Sequence, residues 1–94
     1  MYVKIHNSRG KIVVAICDEN LIGKKFSENG LMLTVSEIFY KGEKKSKEEV
    51  RQIFKKAENI NLVGEETVNL ALGVGRLNKD SIVTIDGIPH AQII

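Results

Sequence analysis

The chain has 94 residues, 43% of them hydrophobic, and this predicts a single domain over residues 1–94 with one modest core. Fourteen Lys and Arg against twelve Asp and Glu give a net charge of +2, too small by itself to indicate a nucleic-acid-binding protein. One cysteine, Cys17, excludes an intramolecular disulfide and a cysteine-based zinc site. No segment resembles a signal peptide or a membrane span, so we expect a soluble, cytosolic protein.

The first predicted element is a β-hairpin. Residues 2–6 alternate between polar and apolar, and residues 12–17 form a largely β-branched apolar run. Asn7-Ser8-Arg9-Gly10 between them is turn chemistry, and a four-residue loop would place His6 opposite Lys11. In that register the apolar residues of one face, which we assign to the core, are Val3, Ile5, Ile12, Val14 and Ile16.

The next segment is predicted to hold one short helix and one strand. Residues 18–23 resemble a helical turn, with carboxylates at its start and a glycine at its end. Residues 24–30 indicate a polar loop, and residues 31–35 a strand. Residues 36–40 are either a continuation of that strand or a loop.

Two amphipathic helices follow. The first begins at Ser46, where Ser46 and Glu49 form a capping box that satisfies backbone donors of the first turn. Its apolar stripe consists of Val50, Ile53, Phe54 and Ala57. The second spans about residues 65–72, with Glu65 and Glu66 at the positive end of its dipole and Gly73 or Gly75 at its end.

A second hairpin closes the chain. Asp86-Gly87 between apolar runs is typical of a type I′ turn, which needs positive φ at both central residues. Pairing Ile85 with Ile88 puts Pro89 opposite Thr84, where its missing N–H is harmless if that side is a sheet edge. The element order predicts an α+β fold, with a small mixed or antiparallel sheet, N- and C-terminal hairpins and two main helices packed on one face.

Several blocks of the sequence resemble one known family. They are Tyr2-Val3-Lys4-Ile5-His6-Asn7, Cys17-Asp18, Leu21-Ile22-Gly23-Lys24, Asn61-Leu62-Val63-Gly64-Glu65 and Gly87-Ile88-Pro89-His90-Ala91-Gln92. In this order they are similar to the archaeal domain of unknown function 424 family, over essentially the whole chain. The resemblance implies an archaeal, cytosolic protein of unestablished activity, and it assigns no catalytic role to any residue.

Local lysine clusters form the first candidate site. The cations are Lys24, Lys25, Lys41, Lys44 and Lys45. The first two follow Gly23, which lets a ligand approach the backbone, and the others lie beside Phe39 and Tyr40. Phosphates need cations and bases need flat aromatic faces, so this pattern is compatible with single-stranded RNA. The more ordinary interpretation is solvated surface lysines, with Phe39 in the core.

His90 and Gln92 form the second candidate site. Their spacing places both on one face of the last strand, where they could bind a ligand, a base or a phosphate, helped by Asp86 or His6. The structural alternative is a histidine that donates to a neighbouring carbonyl.

Cys17 lacks a nearby base and is expected to be a small packed side chain. Carboxylate pairs occur at predicted helix starts, where the helix dipole explains them, so we expect no catalytic residue, metal site or cofactor.

The leading hypothesis is a non-enzymatic binding module for RNA or a ribonucleoprotein partner that uses the lysine clusters. The alternative is a small ligand-binding protein or enzyme that uses His90 and Gln92. A third hypothesis is an adaptor whose apolar C-terminal strand packs against a partner or a second copy of the chain, as a homo-oligomer. No membrane association is expected.

Overall fold

The computed structural model describes residues 1–94. Its strands are β1 (Tyr2–Ser8), β2 (Lys11–Cys17), β3 (Lys25–Glu28), β4 (Leu31–Thr34), β5 (Glu43–Lys44), β6 (Ile60–Val63), β7 (Val83–Ile85) and β8 (Ile88–Ile93). Its helices are α1 (Glu37–Tyr40), α2 (Lys47–Lys56) and α3 (Glu65–Val74), with 3-10 turns at Glu19–Leu21 and Lys79–Ser81. Six strands form one mixed sheet in the order β5-β1-β2-β6-β8-β7, and β3 pairs only with β4. The predicted α+β fold is confirmed.

The main sheet carries a layer on each face. α2 and α3 pack on one face, as predicted, around a core to which Phe54, Ile16 and Leu62 contribute fully buried side chains. The β3–β4 hairpin and α1 cover part of the opposite face, over a second cluster that includes Cys17 and Tyr40. No helix in the structure is both long enough and apolar enough to cross a bilayer.

The start of α2 follows the predicted capping box. The Glu49 N–H donates to Ser46 Oγ over 3.1 Å, and the Ser46 N–H donates to Glu49 Oε1 over 3.0 Å. Val50 and Phe54 of the predicted stripe are fully buried, and Ile53 and Ala57 of the same stripe are half-buried. The predicted core face of this helix is therefore confirmed.

The register of the first hairpin differs from the predicted one. Ser8 pairs with Lys11 and His6 pairs with Val13, so a two-residue turn of Arg9 and Gly10 replaces the four-residue loop. The reason is that both turn residues adopt positive φ, 53° and 80°, which lets the strands run up to the turn. The change is two residues, so the side chains keep their predicted faces.

Only part of the predicted core face of this hairpin is buried. Val3, Val14 and Ile16 lie in the core, whereas the side chains near the turn extend beyond the helices. Ile5 is 66% exposed and Ile12 is 52% exposed.

Two segments of the chain centre differ from expectation. The predicted polar loop contains β3, which turns back through Asn29 and Gly30, both at positive φ, to pair with β4. The segment left open as strand or loop is the short helix α1, because Ser36 caps it by accepting from the Phe39 N–H over 3.2 Å.

β6 is a strand that the sequence analysis did not predict. It lies parallel to β2 and antiparallel to β8 in the middle of the sheet. Ile60 and Leu62 face the helices, while Asn61 and Val63 face the other layer. At four residues, β6 is too short for its pattern of polar and apolar residues to distinguish a strand from a loop.

The C-terminal hairpin has the predicted register, with Ile85 opposite Ile88 and Thr84 opposite Pro89. However, β8 is not an edge strand, because it also pairs with β6. The missing Pro89 N–H is harmless for another reason. Gly64 N donates to Pro89 O over 2.9 Å, and Gly64 O accepts from Val68 N of α3 over 2.9 Å instead of from Pro89.

Candidate functional site

Three of the five candidate lysines lie free on the surface. Lys24, Lys25 and Lys41 are exposed, and no carboxylate forms an ion pair with any of them. The Val35 N–H donates to Lys24 O over 2.9 Å, which joins the start of β3 to the segment that leads into α1. Lys41 follows directly at the other end of α1.

The other two candidate lysines are engaged by carboxylates. Lys44 Nζ lies 3.1 Å from Glu19 Oε1, and this hydrogen bond and charge raise the pKa of Lys44. Lys45 Nζ lies 3.2 Å from Glu43 Oε2 and 3.9 Å from Glu49 Oε2. These contacts reduce the positive charge that either lysine offers to an anion.

The aromatic residues beside the lysines are used within the fold. The Phe39 ring stacks on the His6 ring, with centroids 4.6 Å apart and an interplanar angle of 13°. The Tyr40 ring meets Phe39 edge-on at 4.9 Å, is buried, and donates its hydroxyl to Asn61 Oδ1. Each ring therefore contacts another ring of the protein, and the lysines lack the free aromatic platform that base stacking needs.

His90 is half-buried and held by the backbone of the neighbouring strand. Because a carbonyl only accepts, His90 Nδ1 carries a proton and donates to Leu62 O over 3.0 Å. In the neutral ring, Nε2 is then an acceptor. His90 and Gln92 line one shallow cavity of about 300 Å³ with Ser81 and Val83. This arrangement can accept a hydrogen bond at Nε2, but it also matches the structural interpretation of His90.

The two residues expected to assist His90 lie elsewhere. His6 belongs to β1, which β2 and β6 separate from β8, so it lies at least about 14 Å from His90 at the usual strand spacing of about 4.8 Å. His6 Nε2 instead donates to Phe39 O over 2.8 Å. Asp86 lies in the β7–β8 turn, where its N–H donates to Glu28 Oε1 over 2.6 Å.

The most elaborate polar arrangement surrounds Asp18, which sequence analysis assigned to its own helical turn. Its side chain makes no capping bond there and instead reaches the N-terminus of α3. The carboxylate accepts from Glu66 N over 3.0 Å, from Thr67 N over 2.8 Å and from Thr67 Oγ1 over 2.7 Å. A protein carboxylate thus occupies the position where a helix N-terminus could bind an external anion.

Gly64 makes this contact possible. As N-cap of α3 it has no side chain, and its φ of 111° and ψ of 152° are essentially restricted to glycine. A Cβ at this position would lie 2.3 Å from Asp18 Cγ. Asp18 and Gly64 are both evident in the sequence. Because they lie far apart along the chain, the sequence alone does not indicate that they are in contact.

Cys17 is fully buried at the end of β2. Burial first, and then the negative charge of Asp18, raise the pKa of its thiol to about 12. The thiol therefore stays protonated at neutral pH, which agrees with a packed side chain and not with a nucleophile. The structure brings together no group of three or more His, Cys, Asp or Glu side chains that could hold a metal ion.

We expect Cys17 to be unreactive towards Ellman's reagent in the folded protein at pH 8. Burial blocks access, and a thiol pKa of about 12 leaves almost no thiolate. The thiol should react stoichiometrically once guanidinium chloride unfolds the chain, which serves as the control. Reaction of the native protein at the rate of free cysteine would contradict the buried position of this residue.

Comparison with known proteins agrees with the sequence resemblance. The structure is similar to the crystal structure of an uncharacterized conserved protein from Methanopyrus kandleri, with a TM-score of 0.77 and 29% identity, covering 98% of this chain and 88% of that one. No curated protein matches the chain. The model of the family described as "protein of unknown function (DUF424)" matches residues 6–94. The chain therefore belongs to the DUF424 family.

Proposed function

We propose that this protein is a non-catalytic module that binds the phosphate backbone of single-stranded RNA through Lys24, Lys25 and Lys41. The observation that carries the proposal is that these three ammonium groups are exposed and lack carboxylate partners. Each can exchange its counterions for a phosphate without first breaking an ion pair. The archaeal, cytosolic setting implied by the family resemblance is part of the same proposal.

The three lysines lie on either side of the short helix α1. The helix α1 between Val35 and Lys41 has four residues, which corresponds to a length of about 6 Å at about 1.5 Å per residue. Lys24 is hydrogen-bonded through its carbonyl to Val35, so Lys24 and Lys41 flank this helix. We propose that cations on both sides of this helix contact phosphates of one strand.

The environment of the lysines favours backbone recognition over recognition of bases. Phe39 and Tyr40 are engaged by other side chains of the fold, so no stacking surface accompanies the cations. Glu37 of α1 lies close to Gly23 and limits the local positive charge. We therefore propose weak, salt-sensitive binding with little sequence preference.

The salt dependence of binding tests this proposal. For a fluorescein-labelled oligouridylate, three phosphate contacts predict a slope of log K against log salt near −2.1, from about −0.7 per contact. Replacing Lys24, Lys25 and Lys41 by Gln should abolish binding at 50 mM salt. The matched control replaces Lys47, Lys55 and Lys79 by Gln, which changes the net charge equally and should leave binding close to that of wild type.

Two results would contradict the proposal. One is the absence of measurable binding even at low salt, which would point to a protein partner, as in a ribonucleoprotein. The other is an equal loss in the control variant, which would mean that binding depends on overall charge and not on these three side chains.

The alternative, a ligand site built on His90 and Gln92, has weaker support. In its favour, both side chains line the same cavity of about 300 Å³. Against it, one ring nitrogen of His90 already donates to Leu62 O, and neither His6 nor Asp86 is available to assist. We propose no chemical step for this pair.

A further inference from the structure

The outer edge of β1 is open over most of its length. β5 pairs with β1 only at Tyr2 and Val3, and no strand lies beside the rest of it. Two of the seven residues of β1 are thus covered, which leaves the five residues 4–8 open. His6 is at the centre of this open segment.

Within the open segment, Ile5 and Asn7 direct their backbone N–H and C=O groups outward. Ile5 pairs with Val14, and the Val14 N–H donates to Asn59 O over 2.9 Å, on the side away from β1. In an antiparallel ladder, a pair whose backbone groups turn away on one strand turns them away on both. Ile5, and Asn7 two residues further, therefore offer backbone donors and acceptors to an incoming strand.

The open segment is able to pair with its own copy. About a two-fold axis at His6, the β1 strands of two copies lie antiparallel, so that Ile5 faces Asn7 of the second copy and Lys4 faces Ser8 of the second copy. Ile5 and Asn7 then form hydrogen-bonded pairs, because both direct their backbone groups outward. This register uses the whole open segment of each copy and leaves β5 in place beside Val3.

On the helix side of this edge, the two ends carry opposite charge. Glu43 pairs with Val3, so its side chain lies on the same face as Val3, which packs against the helices. Lys45 Nζ lies 3.2 Å from Glu43 Oε2 and 3.9 Å from Glu49 Oε2, so two carboxylates share one ammonium group. At the other end Lys56, seven residues after Glu49 on the same face of α2, is exposed and forms no ion pair.

The centre of this charge pattern lies beside the centre of the open segment. One cavity, of about 370 Å³, includes Lys45, and the next, of about 430 Å³, includes Lys56. Ile5 and Ile53 line both cavities, so the middle of the helix face between Glu49 and Lys56 lies at the level of Ile5. The axis that pairs β1 with its copy therefore brings the acidic end of each copy towards the basic end of the other.

Apolar side chains are exposed on both sides of this edge. On the helix side, Ile5 is 66% exposed. On the other side, α1 is held to β1 by Lys4 Nζ, which donates to Ile38 O over 2.6 Å, and Ile38 is 83% exposed. A second copy at this edge would remove part of this apolar surface from water, which favours association.

We propose that the chain forms a two-fold symmetric dimer through antiparallel pairing of β1 with β1 of a second copy. The pairing joins the two six-stranded sheets into one continuous sheet. Glu43 and Glu49 of each copy attract Lys56 of the other, and this complementarity sets the register. Self-association was expected through the C-terminal strand, but β8 pairs on both sides and has no open edge.

Sedimentation equilibrium of the wild-type protein and two proline variants tests the pairing of β1. Asn7→Pro removes an outward N–H without affecting pairing with β2. It should weaken the dimer at least about tenfold, because each dimer loses two hydrogen bonds. The control Thr84→Pro removes an outward N–H at the opposite edge of the sheet, on β7, and should dimerise as wild type does. Thermal unfolding of each variant shows whether it retains the fold, and the assay contains no RNA, so its result is independent of the proposed function.

A charge exchange tests the register. Lys56→Glu and Glu43→Lys should each weaken the dimer about tenfold, because each places like charges together at two points of the interface. An equimolar mixture of the two variants should regain an affinity close to that of wild type, since Glu at position 56 of one variant then meets Lys at position 43 of the other. The control is Lys55→Glu, which changes the charge equally in the same helix turn but lies roughly 100° around the helix. It should leave the dimer unchanged.

Three results would overturn the proposal. The first is a wild-type protein that sediments as a monomer at every soluble concentration, which would leave the edge of β1 to a different protein. The second is a dimer that Thr84→Pro dissociates and Asn7→Pro leaves intact, since that would place the interface on β7. The third is a mixture of Lys56→Glu and Glu43→Lys that associates as weakly as either variant alone, because these charges would then not meet.

Discussion

Substitution of Gly64 by Ala is expected to lower the free energy of unfolding by about 1.5–5 kcal/mol. A side chain at φ 111° is strained, at a cost of about 1–3 kcal/mol. The Cβ of this alanine would also lie 2.3 Å from Asp18 Cγ and would displace the carboxylate that caps α3. Loss of a helix cap lowers the free energy of unfolding by about 0.5–2 kcal/mol, and by more where a buried charge loses its hydrogen bonds. Urea unfolding followed by circular dichroism measures the change.

Gly73→Ala is the matched control for this substitution. Gly73 lies inside α3, and beyond the backbone of the helix itself and the two neighbouring residues a Cβ there would meet no heavy atom within 4 Å. Alanine should stabilise the helix at this position by about 0.5–1 kcal/mol.

A double-mutant cycle separates the two causes of the Gly64 effect. In Asp18→Ala the carboxylate is absent, so a Cβ at position 64 has no Asp18 oxygen to displace. The double variant should therefore be destabilised by less than the sum of the two single effects. The difference between that sum and the measured loss should exceed about 0.5 kcal/mol. Strict additivity would show that backbone strain alone accounts for the loss.

Phe54→Ala is expected to destabilise the protein by about 3–5 kcal/mol, as for other buried aromatic residues. Phe54 is fully buried between α2 and the main sheet, and its removal leaves a cavity in the larger core cluster. Phe54→Leu, which keeps most of the apolar volume, should cost much less. Both are measured by chemical unfolding with the slope compared to wild type. A loss below about 1 kcal/mol for the alanine variant would be incompatible with this packing.

Local signals in the sequence were sufficient for much of this fold. The start of α2 depends on Ser46 and Glu49, three residues apart, and the last hairpin on two adjacent turn residues. β6 had no such signal. It is four residues long, covered on both faces, and its place beside β2 depends on pairing between distant parts of the chain.

The candidate sites show the same division between local and distant contacts. The sequence places Lys44 in a cluster of cations, but Glu19, which pairs with it, belongs to a different segment. Asp18 resembled a local helix cap, although its partners Glu66 and Thr67 lie 48 and 49 residues away. Sequence spacing shows which groups are available, whereas the tertiary structure determines which of them remain free to bind a ligand.

The parallel contact between β2 and β6 has a consequence for how the chain assembles during translation. The first hairpin can form early, because β1 and β2 are joined by two residues. The inner side of β2 has no neighbour until Ile60 to Val63 have left the ribosome, and β6 in turn needs β8. Contacts between such distant parts of the chain form slowly. During most of the synthesis of the chain, β2 therefore presents an open strand edge to other chains.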